Sequence, residues 1–149
     1  MMRLTRAEIA QFLADRNHFV IITHRRPDGD TIGSSAALCL GLRKLGKTAH
    51  VLANSEITPK YAPLHDGITK DEIKETDTVI CVDVASANML PDGFSHSITL
   101  QIDHHRTGEP FTRYALVDPE AAACGEIIYD ILLQLGVSLD TPIAQRQGL

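Results

Sequence analysis

Acidic and histidine side chains in this 149-residue chain gather at three places: His24 with Asp28 and Asp30, then Asp83, then Asp103-His104-His105. Each group follows an apolar run that reads as a strand, so each stands at a strand's C-terminal end. In open α/β sheets, ligands bind in the crevice outside those ends. Residues far apart in sequence are therefore expected at one edge of one sheet. Carboxylate and neutral imidazole donors without thiolates suit hard or borderline divalent cations such as Mn²⁺ or Mg²⁺. Asp83, on a separate loop, is placed to bridge two ions. Two ions about 3.5–4 Å apart ionise a shared water and clamp a phosphoryl group for in-line attack.

Asp28 and Asp30 are two residues apart, and in extended backbone their carboxylates would point the same way. Gly29 between them permits an unusual backbone conformation and a close approach. Gly33-Ser34-Ser35, near the start of the next helix, offers backbone N–H groups to an anion. Arg25, Arg26 and Arg106 lie near the three groups as phosphate contacts or as solvated loop charge. His18, His50, His65 and His96 have no companions and read as surface or packing residues, Glu126 as an exposed helix residue, and Asp77 and Asp92 as structural.

The elements that must position these residues alternate. Thr5-Arg6-Ala7-Glu8 is a capping-box signature ahead of a helix carrying Ile9, Phe12 and Leu13. Phe19–Ile22 and Thr78–Val82 are short continuous apolar runs, the mark of strands buried on both faces. Further strands are expected at Thr48–Leu52, Ser97–Ile102 and Arg113–Val117, while residues 54–73 resist assignment. Helical periodicity runs over Thr31–Leu45, stopped by Gly46, and over Glu120–Leu135, stopped by Gly136. This order predicts an α/β sandwich, a mainly parallel sheet flanked by helices. Asp140-Thr141-Pro142 reads as one more helix start, with few residues after it.

Composition narrows the function classes. One domain fits the length, and 44% hydrophobic residues with 5% aromatics imply an aliphatic core. A net charge of −5 argues against a long-duplex nucleic-acid partner, because no basic surplus exists to neutralise many phosphates. A small phosphorylated ligand remains compatible, since a bound metal supplies positive charge locally. Cys39, Cys81 and Cys124 form no Cys-x-x-Cys pair and read as reduced core residues. No apolar stretch approaches membrane-spanning length, so no membrane partner and a cytoplasmic location are expected. A homodimer is compatible with the sequence.

His24-Arg25-Arg26-Pro27-Asp28-Gly29-Asp30-Thr31-Ile32-Gly33-Ser34 closely resembles the first motif of the DHH phosphoesterase superfamily. Asp83 in Cys81-Val82-Asp83 is similar to the second motif and Asp103-His104-His105 to the third, in order, across nearly the whole chain. The resemblance implies that His24, Asp28 and Asp83 hold one Mn²⁺, while Asp30, Asp83 and His104 hold the other. It further implies that His105 contacts the scissile phosphate, that Asp103 orients the neighbouring histidines, and that a metal-bridging hydroxide is the nucleophile. Within the superfamily the first motif looks most like the RecJ-like branch of nano-RNases and 3′-phosphoadenosine-5′-phosphate phosphatases, with a nucleotide or short oligonucleotide as substrate. Inorganic pyrophosphatase is the alternative enzyme, weakened by Gly29. The family's fourth motif and C-terminal nucleotide-gripping domain have no counterpart in these residues. That leads us to expect a truncated DHH domain over 1–149, with an inactive metal- or nucleotide-binding fragment as the third reading.

Overall fold

In the computed structural model, which describes residues 1–138, seven strands form one sheet in which every neighbouring pair is parallel. They are β1 (Met2–Arg3), β2 (Phe19–Ile22), β3 (Ala49–Leu52), β4 (Thr69–Lys70), β5 (Thr78–Val82), β6 (Leu100–Asp103) and β7 (Tyr114–Val117). The helices are α1 (Arg6–Ala14), α2 (Gly29–Lys44) and α3 (Cys124–Gln134). The Asp140-Thr141-Pro142 helix start lies outside the described residues.

Across the sheet the order is β1-β7-β6-β5-β2-β3-β4. From β2 the chain moves outward to β3 and β4, then returns to the other side of β2 and moves the opposite way through β5, β6 and β7. The strand order therefore reverses between β2 and β5. A crevice opens beyond the strand ends at such a switch point.

All four residues of β2 are buried, as are the last four of β5, which fits strands covered on both faces. On one face Phe19, Ile21, Val51, Ile80, Val82 and Ile102 join the apolar sides of all three helices in the main core. On the other face Val20, Ile22, Val79 and Cys81 pack under loop residues such as Ile73, Leu90, Phe94 and Phe111. The second layer there is made by connections rather than α-helices. All three cysteines are buried and unbridged, and burial pushes the Cys81 and Cys124 thiols up from their ordinary range.

Local signals explain most boundaries. Thr5 Oγ1 accepts from the Glu8 N–H at 3.1 Å and Glu8 Oε1 accepts from the Thr5 N–H at 3.0 Å, so the capping box forms as its spacing predicts. Gly46 (φ +80°) and Gly136 (φ +76°) end α2 and α3 in left-handed backbone. After each, the next residue's N–H reaches back to Leu42 O or Leu132 O at 3.0 Å, the six-to-one bond of a Schellman stop.

Two helix starts differ from the periodicity. Helix α2 opens at Gly29 instead of Thr31, because the Asp28 side chain caps it by accepting from the Asp30 and Thr31 N–H groups. Helix α3 opens at Cys124 instead of Glu120, because Asp118 Oδ1 accepts from the Glu120 N–H and turns the chain there. Strand β6 begins three residues later than expected and runs through Asp103. The unassigned stretch holds a 3₁₀ turn at Ala62–His65 and the edge strand β4.

Candidate metal centre

Asp83 is the first residue past β5. Its backbone is left-handed (φ +63°), a conformation that Asp and Asn tolerate better than most residues. Its N–H donates to Ile102 O at 2.9 Å, and the Thr31 hydroxyl donates to Val82 O at 2.9 Å. Those bonds lock the end of β5 to β6 and to the first turn of α2. The side chain is only 2% exposed, and Oδ1 has no hydrogen-bond partner. Burial first, then the nearby Asp30, Asp28 and Asp103 carboxylates, push its pKa up to about 9. A buried, unpaired carboxylate is costly unless a cation completes it.

The two oxygens of Asp83 face different neighbours. Oδ2 lies 3.9 Å from His24 Nε2, which is itself 3.6 Å from Asp28 Oδ1. Oδ1 lies 3.3 Å from His104 Nε2, which is 3.4 Å from Asp30 Oδ2. Ligand-capable atoms of His24, Asp28 and Asp83 all fall within 4.8 Å of one another, and so do those of Asp83, His104 and His105. The geometry thus gathers His24, Asp28, Asp30, Asp83 and His104 around one carboxylate, with Asp30 reaching the second group through His104.

Hydrogen bonds fix the ring orientations. His24 Nδ1 meets Arg25 O at 2.6 Å, so with Nδ1 as the donor Nε2 keeps its lone pair toward Asp28 and Asp83. His105 Nδ1 meets Asp103 Oδ1 at 2.6 Å, and the His105 N–H also donates to Asp103 Oδ2. Asp103 is fully buried while the His105 side chain is 41% exposed, so a buried carboxyl group holds the ring by Nδ1 and leaves Nε2 for another partner. His105 Nδ1 lies 3.8 Å from Asp83 Oδ1, and Asp103 already engages that nitrogen. Asp103 contacts His105 through two hydrogen bonds and makes none to His104.

Three local expectations change. Asp28 and Asp30 do not share an extended segment, since Asp28 is the cap of α2 and Asp30 sits in its first turn. The Gly29 backbone is not left-handed; a Cβ there would stand 3.3 Å from the Tyr61 hydroxyl, so its smallness serves a contact. Gly33, Ser34 and Ser35 lie past the four free N–H groups of α2, so their amides are spent inside the helix. Their hydroxyls work instead: Ser34 Oγ donates to Asp30 Oδ1, and Ser35 Oγ lies 2.9 Å from His65 Nε2. His65 is buried there as a packing residue.

Gly108 escaped sequence reasoning. A Cβ on it would come within 2.8 Å of Asp103 Oδ2, and no local pattern marks that approach. Asn54 escaped too; its side chain donates to Thr23 Oγ1 and His24 O and steadies the first loop.

The residues present fit a divalent cation: an orphaned buried oxygen, an imidazole of His24 held by its Nδ1, the His104 Nε2 close by, and carboxylates whose mutual repulsion a cation would relieve. Comparisons with known proteins place the chain in a family. A sequence profile described as the DHH family, N-terminal domain, matches residues 18–146. The bifunctional oligoribonuclease and PAP phosphatase NrnA of Thermus thermophilus is 31% identical over 126 residues, 83% of this chain and 39% of that protein. Its Bacillus subtilis namesake is 26% identical over 132 residues, 87% of this chain and 42% of that protein. The chain thus spans about two-fifths of the length of these curated relatives. Among solved structures, an exopolyphosphatase-related protein from Bacteroides fragilis superposes with a TM-score of 0.70 at 22% identity, covering 96% of this chain and 48% of that one. Exonuclease RecJ bound to manganese superposes with a TM-score of 0.56 at 18% identity, covering 97% of this chain and 38% of that one. At those identities the two structures speak to the fold alone.

Proposed function

The chain belongs to the DHH family, carrying its N-terminal domain, and from that premise we propose a divalent-metal-dependent phosphoesterase acting on nucleotides or short oligonucleotides. Buried Asp83, with one oxygen toward His24 and Asp28 and the other toward His104 and Asp30, is the observation that carries this reading. Mn²⁺ is the ion we expect, two per site, with Mg²⁺ as a weaker substitute. The ions would supply positive charge to the phosphoryl oxygens and lower the pKa of an attacking water.

The chain's own groups do the rest. Asp83 orients both halves of the donor set. Asp103 holds His105 by Nδ1, leaving Nε2 to meet a phosphoryl oxygen and hold or deliver a proton there. Arg25 and Arg106, on the two flanking loops, are candidates for the remaining phosphate charge. The names of the two similar proteins support oligoribonucleotides and 3′-phosphoadenosine-5′-phosphate as the substrates to try. The test is release of mononucleotide from a short oligoribonucleotide, or of phosphate from 3′-phosphoadenosine-5′-phosphate, with Mn²⁺ and again with chelator. Turnover of neither would refute the reading, and preference for pyrophosphate would move it to the alternative enzyme.

A further inference from the structure

Helix α3 begins without a cap of its own. Its N-cap residue is Ala123, which has no side-chain acceptor. The first N–H groups of a helix need partners, and here they find one far away in sequence. The Cys124 N–H donates to Asp30 Oδ2 at 3.0 Å, and the Gly125 N–H donates to Asp30 Oδ1 at 3.1 Å. Ser34, one turn beyond Asp30 on α2 and 1% exposed, adds its hydroxyl to Oδ1 at 3.1 Å. Glu126 takes the Ala122 N–H at 2.8 Å. Two N–H groups of the first turn of α3 are therefore taken by one carboxylate from α2.

A carboxylate offers about four lone-pair sites. Oδ1 of Asp30 spends two, on Ser34 and Gly125. Oδ2 accepts from Cys124 and also stands 3.4 Å from His104 Nε2.

We propose that the N-terminus of α3, together with Ser34, is a clamp that presents Asp30 to the His104 side of the centre as a single-oxygen ligand. Ser34, Cys124 and Gly125 are on this view positioning residues. The inference rests on the reading of Asp30 as a metal ligand. It has a consequence for coupling: the docking of α3 on α2 and occupation of the His104 site by a cation reinforce each other, because both use one carboxylate.

Mn²⁺ titration calorimetry on the parent chain, four single variants and one double variant tests this. Cys124→Ala removes the thiol and keeps the N–H. Cys124→Pro removes the N–H as well, at a first helical position preceded by an extended residue, where proline is tolerated. Ser34→Ala removes one hydroxyl and carries the same test should Cys124→Pro fail to fold. Asp30→Asn identifies which ion depends on Asp30.

We expect Cys124→Ala to bind as the parent does. Cys124→Pro and Ser34→Ala should lose affinity roughly 10- to 100-fold for the Asp30-dependent ion alone, the range seen when groups that orient a ligand are removed. Adding Ser34→Ala to Asp30→Asn should change binding no further. The proposal is overturned if the parent binds Mn²⁺ but Ser34→Ala and Cys124→Pro titrate like it and merely melt earlier; Asp30 would then be a helix cap only. It is overturned equally if Asp30→Asn leaves binding unchanged. A folded parent that binds no Mn²⁺ removes the metal reading itself, and the clamp with it.

Discussion

The proton on Asp83 decides how this centre behaves before any cation arrives. Its carboxyl titrates ordinarily near 3.8 and in the folded chain near 9. Between those values the unfolded chain has released a proton that the folded chain keeps. The folded state is thus favoured at low pH, and metal-free stability falls as pH rises from about 4 to about 9. Asp83→Asn stays neutral throughout and accepts the left-handed backbone. It should melt higher than the parent at pH 8 in chelator, and lose the rise that Mn²⁺ gives the parent. A parent-like melting profile across pH would contradict the assignment. In the parent a cation must displace that proton, so apparent Mn²⁺ affinity should increase with pH.

At this same scale Asp103→Asn should leave ion binding nearly intact but cut kcat by roughly 10²-fold or more, because His105 loses its orienting anion. Full turnover by the variant would show that His105 needs no such partner. The six clustered residues from Asp28 to His105, with His24, were legible because only side chains of these types at strand ends make a donor set. Ser34, one turn from Asp30, was readable in principle from its spacing along a helix. Gly108 and Tyr61 were not, since each matters through a distance to a residue remote in sequence.

Elements were read from pattern, and pattern failed where side chains overrode it. The apolar stripe of α2 fixed its interior, yet its start moved two residues because Asp28 caps it as well as facing His24. Strands β1 and β4 have two residues each, too few for any periodicity. Removing the α1 capping box with Thr5→Ala should cost about 1 kcal/mol in chemical denaturation. Packing between α2 and α3 is more demanding. A Cβ on Gly41 would meet Leu132 Cδ2 at 2.3 Å, so Gly41→Val should destabilise by about 1–3 kcal/mol through overcrowding. Unchanged stability would mean that α3 can shift outward. Such a shift would be visible again as weaker Mn²⁺ binding, because α3 holds Asp30.

For the molecule as a whole, ligand and fold are linked. A cation that binds only the folded chain should stabilise it by about 2.7 kcal/mol at 100 times its dissociation constant, and chelator should remove that gain. A thermal melt with and without Mn²⁺ reads this directly. A net charge of −5 and an acidic centre predict weak, salt-insensitive interaction with duplex DNA, so a gel-shift at low salt should show no complex. Among the described residues no helix is long and apolar enough to cross a membrane.

The sheet's two margins are its shortest strands, Met2–Arg3 on one side and Thr69–Lys70 on the other. Strands that brief expose almost no run of unpaired peptide groups, and each rim carries a basic residue, Arg3 on one and Lys70, paired with Asp77, on the other. Among the described residues the five longer parallel strands, the kind of surface on which chains template one another into fibrils, are thus bounded on each side by a rim that pairs with half of its neighbour. Amyloid-like growth would first have to peel one of these rims away.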